Sequence, residues 1–388
     1  MDLTSRHERA TTWVDRSDPL ARLAKVSLHD HLDGSVRPET LLALAAESGA
    51  PVPRRDPETL QHWFGNFAAL EPGADWELLF GLTTSVMQTA PQLRRVAREY
   101  VAALAADGVV YAETRWAPEK HLARGLSMDE ALAAVQDGLE AGMRDAAREG
   151  RPVLVRQILS IMRTARHGRE VVETALRNRD AVVGLDLAGH EEGHPPAEHA
   201  KWFRLAAEHG LSRTVHAGEA AGVESILGAL EHCSAQRIGH GARLAEDVAV
   251  DGARHPVGDV VAAWRRAGGG VAALELGPVA QRIVDERIPL ELCPSSNSQP
   301  GGVVDTLAQH PIGLLATIGA AVTVHPDNRL ISATSVTGEL RLLVDRFGWG
   351  LADVERAQRT ALAGGFADPE LRERILEERL APSFDAAC

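Results

Sequence analysis

Cysteine is scarce in this chain of 388 residues: Cys233, Cys293 and Cys388 are an odd number with no Cys-x-x-Cys pair. A disulfide framework and an all-cysteine metal site are excluded, and a reducing compartment fits. Basic charge is also in short supply. Against 54 Asp and Glu stand only 41 Lys and Arg, a net charge of −13, so no basic face is expected to gather nucleic acid or an anionic membrane. No run of about 18 uninterrupted apolar residues is present to cross a bilayer. Met1 to Leu20 mixes Arg, Asp, His and Glu and lacks the apolar stretch of a secretory signal, so a cytoplasmic protein is expected. Aromatics make up 4%, yet 45% of residues are hydrophobic, enough for a large buried core.

What is present is a regular series of eight short β-rich runs separated by helical patterns. They are 25–33, 108–116, 151–161, 181–189, 211–219, 237–241, 288–297 and 320–328. Between them, stretches such as Met128–Arg148 and Gly258–Ala267 carry apolar residues at a spacing near 3.6, which reads as helix. Eight strands alternating with helices predict an α/β fold, the (β/α)8 TIM barrel, with chemistry at the C-terminal ends of the strands. No linker, repeat or low-complexity segment divides the chain, so 1–388 is expected to be a single barrel domain.

The first connection is longer than a crossover needs, and 35–107 is expected to be a helical insertion over the barrel mouth. Within it Leu60, Trp63, Phe64 and Phe67 fall at i, i+3, i+4 and i+7, an apolar helix face. Two readings stand open: a helix packed on its neighbours, or a hydrophobic lid over a planar substrate. The segment 350–388 is expected to be a helical tail, with Asp368–Leu380 a charge-paired surface helix.

His29 and His31 lie two apart on the first strand, so both rings point to one face. His216 closes the fifth run and Asp327 the eighth. Three imidazoles, a carboxylate and a water make a nitrogen and oxygen set suited to catalytic zinc, whereas a metal-free polar network of the same four would leave several buried groups to satisfy. One ion is expected rather than two. Barrel hydrolases with two metals often bridge them through a carboxylated lysine late on the fourth strand, and the chain's lysines are Lys25, Lys120 and Lys201, none of them there.

Glu219, three residues after His216, reads either as a solvated carboxylate or as an acid held near the metal. His240, between Gly239 and Gly241, reads either as a hydrogen-bonded core histidine or as a ring a ligand approaches closely. Beside the metal set, the functional reading of each is the stronger.

In order along the chain, Lys25–Gly34 (KVSLHDHLDG), Asp186–Gly189 (DLAG), His216–Glu219 (HAGE), Arg237–Gly241 (RIGHG), Cys293–Asn297 (CPSSN) and Asp327–Asn328 resemble the adenosine deaminase family, zinc aminohydrolases on a (β/α)8 barrel. The resemblance runs from Lys25 to Leu343, and the ordered set is far more specific than any one motif. It implies that His29, His31, His216 and Asp327 hold one zinc ion, with Asp327 also orienting a water whose pKa the ion lowers from near 15.7 to about 7. It further implies attack on the amino-bearing carbon of a purine, with His240 as base and electrostatic partner. Glu219 protonates the adjacent ring nitrogen and ammonia leaves. Substrate contacts implied are the Gly189 N–H, Asn328 at the imidazole edge, and Asp33 with His31 at the ribose.

Several positions depart from the family pattern. Asn328 follows Asp327 where a second aspartate is familiar, and His325-Pro326 replaces the usual Asn-Thr. Two residues before Asp327, His325 is expected to share its inward face, as a partner behind the metal ligands or as an extra ligand or substrate contact. His190 and His194 stand where an acidic residue often follows DLAG and read as loop residues bordering the base. The expected reaction is deamination of adenosine or 2′-deoxyadenosine to the inosine form. Adenine or a 5′-modified adenosine is the alternative substrate, and a silent nucleoside-binding relative is the alternative class. Nucleotides fit less well, since no phosphate loop or Arg cluster is evident and Asp33 would repel a 5′-phosphate. The His-x-Glu and Pro-Cys-x-x-Cys set of small cytidine deaminases is absent.

Overall fold

A computed structural model of the chain describes residues 18–70, 76–299 and 302–387. The first seventeen residues of the polar N-terminal stretch, and Cys388, lie outside the described residues.

Among the described residues ten strands follow in chain order: β1 (Lys25–His31), β2 (Val109–Trp116), β3 (Leu154–Met162), β4 (Val182–Ala188), β5 (Ser212–Ala217), β6 (Arg237–His240), β7 (Val248–Val250), β8 (Leu274–Leu276), β9 (Leu290–Leu292) and β10 (Val322–Val324). Eight of them form one sheet in the order β1-β2-β3-β4-β5-β6-β9-β10, and the pairings of β1 with β2, β4 with β5, β5 with β6, β6 with β9 and β9 with β10 are parallel. A parallel bridge between Asp30 and Asp327 joins β1 to the residues beyond β10. The sheet is a nearly closed (β/α)8 barrel, as the alternation of runs predicts. Its strands are buried along nearly their whole length, which is why Val, Ile and Leu dominate them.

The first six expected strands are β1 to β6, with ends trimmed except that β3 runs on to Met162. The seventh and eighth are shorter than expected. The 288–297 run keeps only three residues of strand before a Pro-led turn of helix, Pro294–Asn297. The 320–328 run stops at Val324, and Asp327 takes a left-handed φ of 60°, so strand alternation does not extend to His325 and Asp327. The antiparallel pair β7 and β8 escapes the sequence reading because three residues are too few to show a period.

The described residues of the 35–107 insertion form five helices: α1 (Pro38–Ser48), α2 (Pro57–Gly65), α3 (Phe67–Leu70), α4 (Glu77–Ser85) and α5 (Ala90–Ala106). Asp56 caps α2 by accepting the Thr59 N–H, with Pro57 at the first position. α2 ends at Gly65, so Phe67 opens the next helix instead of extending the same face. The four apolar residues are nevertheless buried together, Trp63 lying edge-on to Phe64 at 5.3 Å and to Phe67 at 5.1 Å. Met128–Arg148 is helical over the expected span, opened by a Ser127–Glu130 capping box. The tail segment Pro369–Ile375 continues through a π turn, Leu376–Leu380, into Ala381–Asp385, and buries Ile375, Leu380 and Phe384. It is an amphipathic helix as well as a charged one.

The chain divides into two compact units, the division falling inside β3: Met1–Gln157 with Pro326–Arg341 and Pro369–Cys388, and Ile158–His325 with Leu342–Asp368. In the first, the buried Arg329 guanidinium bonds Asp30 at 2.7 Å and Asp107 at 3.2 Å, and Asp107 also accepts the Val336 and Thr337 N–H groups. In the second, Arg237 bonds Glu291 at 2.5 Å with both side chains fully buried.

Candidate active site

In the first unit, β1 delivers His29 and His31 with ring centroids 5.4 Å apart. The backbone beyond β10 is laced to β1: Asp327 donates its N–H to the His29 carbonyl at 3.1 Å, and its own carbonyl accepts the His31 N–H at 2.7 Å. That lacing brings Asp327 Oδ1 to 3.3 Å from His29 Nε2 and 3.5 Å from His31 Nε2. All three residues are buried. Left-handed backbone at a non-glycine residue is costly, and at Asp327 it serves to aim the carboxylate.

Asp33 lies one turn further, 3.8 Å from His31 Nδ1 and 3.8 Å from His121 Nε2. Burial pushes its carboxyl up, but the neighbouring His121 and His31 rings and the Ala117 N–H together hold it below the usual carboxylate range. Gly34 follows because the Asn328 side chain lies where a Cβ would stand. From α4, Phe80 meets the His31 ring edge-on at 6.0 Å.

In the second unit, His216 is the next-to-last residue of β5, and its Nδ1 is 2.9 Å from Asp186 Oδ1 on β4. Ser160 donates to the other Asp186 oxygen at 3.0 Å. This leaves Nε2 as the nitrogen His216 presents to a ligand. His240 ends β6, its ring 5.3 Å from that of His216 and its Nε2 3.5 Å from Glu219 Oε2. The loop carrying Glu219 is pinned by Glu191, whose carboxylate accepts the N–H groups of Gly218, Glu219, Ala220 and Ala221 at 2.7 to 3.0 Å.

Donor atoms of His29, His31, His216 and Asp327 all lie within 4.8 Å of one another. The set fits a zinc ion. Bonds of about 2.0–2.1 Å in a tetrahedral shell place neighbouring donors about 3.4 Å apart, which is the spacing of Asp327 Oδ1 from the two Nε2 atoms, and the Asp186–His216 bond is the support that ligating imidazoles ordinarily have. A second donor group, His29, His240 and Cys293, shares His29 with the first and so is no independent site.

His325 is not among the grouped donors. It is fully buried and its Nε2 meets Thr323 Oγ1 at 2.8 Å, while that hydroxyl donates to the Leu290 carbonyl. His190 is exposed and His194 half-buried in the loop after β4, where Gly189 has a φ of 92° that suits glycine. Trp63, Phe64 and Phe67 pack on one another, and the α4 residue Phe80 meets the His31 ring. Residues not singled out from the sequence are Phe80, His121 and Glu191. Asp186 and Asn297 lay inside quoted motifs without a role. Glu191 had one visible signal: an acidic residue two after Gly189, on the lip of an expected strand.

Residues 24–381 match the family model described as adenosine deaminase. Adenosine deaminase of Mycobacterium leprae is 44% identical over 364 residues, covering 93% of this chain and 95% of that protein. The Mycobacterium tuberculosis protein of the same name is 43% identical, covering 94% and 96%. Among solved structures, an adenine deaminase from Arthrobacter aurescens is similar at a TM-score of 0.73 and 27% identity, covering 91% of this chain and 97% of that one.

Proposed function

The chain belongs to the adenosine deaminase family, and from that premise we propose that it hydrolyses the exocyclic C–N bond of adenosine and 2′-deoxyadenosine, yielding the inosine form and ammonia. It is a hydrolase acting on a cyclic amidine. The observation that carries the substrate reading is the buried group of three imidazoles and one carboxylate, with an acid and a further imidazole, Glu219 and His240, 3.5 Å apart beside His216.

His29, His31, His216 and Asp327 would hold one zinc ion per chain. When bound, the ion supplies Lewis acidity that lowers the pKa of a water to about 7. Glu219 gives a proton to the purine ring nitrogen beside the amino-bearing carbon, so the ring takes up the electron pair as that carbon becomes tetrahedral. Asp327 orients the attacking water, and His240 faces the charge that develops there. The Gly189 N–H and the Asn328 amide contact the base, and Asp33 with His31 contacts the ribose. Phe80, against His31, keeps bulk water from that side. His325, buried and bonded to Thr323, is read as a partner behind the ligand set and not as a ligand. A cytoplasmic location belongs to the same proposal; among the described residues no helix is long and apolar enough to cross a membrane.

A second reading keeps the chemistry and changes the substrate. The Arthrobacter relative is an adenine deaminase, so free adenine competes with the nucleoside, as does an adenosine altered at its 5′ group. A 5′-phosphate is disfavoured by the Asp33 carboxylate, which its partners hold ionised.

Purified protein and adenosine decide the matter: loss of the adenosine absorbance with ammonia release is expected. Turnover of adenine with adenosine inert overturns the nucleoside reading, and binding without turnover overturns the enzyme. Glu219→Gln is expected to keep its zinc and lose about 10²–10⁴-fold in kcat.

A further inference from the structure

The CPSSN motif has no part in the chemistry above, yet its last residue touches the active site. Asn297, fully buried on the one-turn helix Pro294–Asn297, lies 3.0 Å through Nδ2 from His240 Nδ1. Its Oδ1 accepts the backbone N–H of Cys293 at 3.3 Å and faces His310 Nε2 at 3.2 Å. A backbone N–H can only donate, so the atom facing Cys293 is the amide oxygen and the one facing His240 is the NH₂. The same logic fixes the next ring. His310 Nδ1 receives the Ile312 backbone N–H at 3.3 Å, so its proton is on Nε2 and points at Asn297 Oδ1. Burial and the neighbouring His240 push His310 down to about 3, which keeps it neutral.

We infer that Asn297 is a positioning residue that sets the tautomer of His240, holding Nδ1 as an acceptor and the proton on Nε2, on the side where Glu219 Oε2 lies. The chain of donors runs from Ile312 N–H through His310 and Asn297 to His240, each link with one permitted direction. His240 therefore enters the reaction as a hydrogen-bond donor from Nε2. Of the two roles implied for it, base and electrostatic partner, the second is the one this geometry prepares: a neutral imidazole aimed, N–H first, at developing negative charge. The inference rests on the reading of His240 as an active-site residue.

Histidine labelled with nitrogen-15 in the zinc-loaded protein tests it. Long-range proton–nitrogen spectra report which ring nitrogen carries the proton, and the His240 signals are those missing from His240→Gln. The expected spectrum has Nδ1 bare and Nε2 protonated. A proton on Nδ1 overturns the inference, and this measurement needs no altered Asn297. In Asn297→Asp the carboxylate can only accept, so the His240 proton is expected to move to Nδ1. kcat should then fall by up to about 10⁴-fold, the scale of loss when a catalytic imidazole is held in the wrong tautomer, while KM changes by less than about threefold. A folded Asn297→Asp in which His240 keeps its Nε2 proton overturns the assignment to Asn297. A protein with the expected spectrum that turns over no aminopurine sinks the proposed function and leaves the tautomer relay standing.

Discussion

Glu191 Oε2 lies 3.0 Å from the backbone nitrogen of Glu219, so the residue assigned as proton donor has its main chain held by a second carboxylate 28 positions away. Gly218, Ala220 and Ala221 give their N–H groups to the same carboxylate. Charge-assisted bonds to four consecutive amides fix both the path and the tilt of this loop. Glu191→Gln, which keeps one accepting oxygen, is expected to lower kcat about tenfold with zinc content unchanged. Glu191→Ala leaves buried donors unmet at about 1–3 kcal/mol each and should also lower the melting temperature. Steady-state kinetics on folded, zinc-loaded variants measure this, and unaltered kcat in both removes Glu191 from any role in placing Glu219.

Asp186 acts one bond behind the ligand set. Its hold on His216 Nδ1 at 2.9 Å keeps the proton there and the lone pair on Nε2. In Asp186→Asn an amide NH₂ can face Nδ1 instead, which favours the wrong tautomer. Zinc affinity is expected to fall about 10–100-fold. Competition against a chromogenic chelator reads the change directly, and equal affinity would show that His216 is oriented without Asp186.

What the sequence made legible was local. His29 and His31 are two apart on a strand, and HAGE places an acid three residues beyond an imidazole; such spacings survive folding, so the barrel and the group of side chains that could hold a metal were legible in the sequence. The supports could not, because their partners are distant in the chain. Gly218 and Glu191 are 27 apart, Asn297 and His240 57, and Arg329 and Asp30 299. No period links such pairs, and only the closing of the sheet brings them together. His325 shows a different limit, since the reach of strand alternation cannot be read from the residues alone. β10 ends at Val324, and the left-handed Asp327 lies beyond it.

Arg329 couples the segment bearing Asp327 to β1. Its guanidinium reaches Asp30, its backbone N–H meets Ser35 Oγ at 3.1 Å, and Ser35 closes the ring on Asp30 at 3.0 Å. Arg329→Met strands Asp30 and Asp107 as buried carboxylates without their cation, a loss expected at about 3–5 kcal/mol. Urea unfolding measures it. Because Asp327 is two residues away, zinc content should fall in the same variant; full stability with full zinc content would mean the pair holds neither the fold nor the ligand.

His310 makes the fold sensitive to acid. Its pKa, pushed down to about 3 by burial and by His240, lies well below the ordinary 6.5 that the unfolded chain regains. Above about pH 6.5 the ring is neutral in both states and stability does not depend on it. Between about 6.5 and 3 the unfolded chain binds a proton that the folded chain refuses, so stability is lost as pH falls, up to about tenfold in the folding equilibrium per pH unit. Gln at this position can still donate to Asn297 Oδ1 and accept from Ile312 N–H, but it does not titrate. Urea unfolding of His310→Gln and the unaltered protein at matched pH values from 7 to 4 is therefore expected to show a shallower decline in the variant, by close to one proton. Parallel declines would mean that His310 takes up its proton in the folded state as readily as in the unfolded one, and that its ring is not sealed in the neutral form.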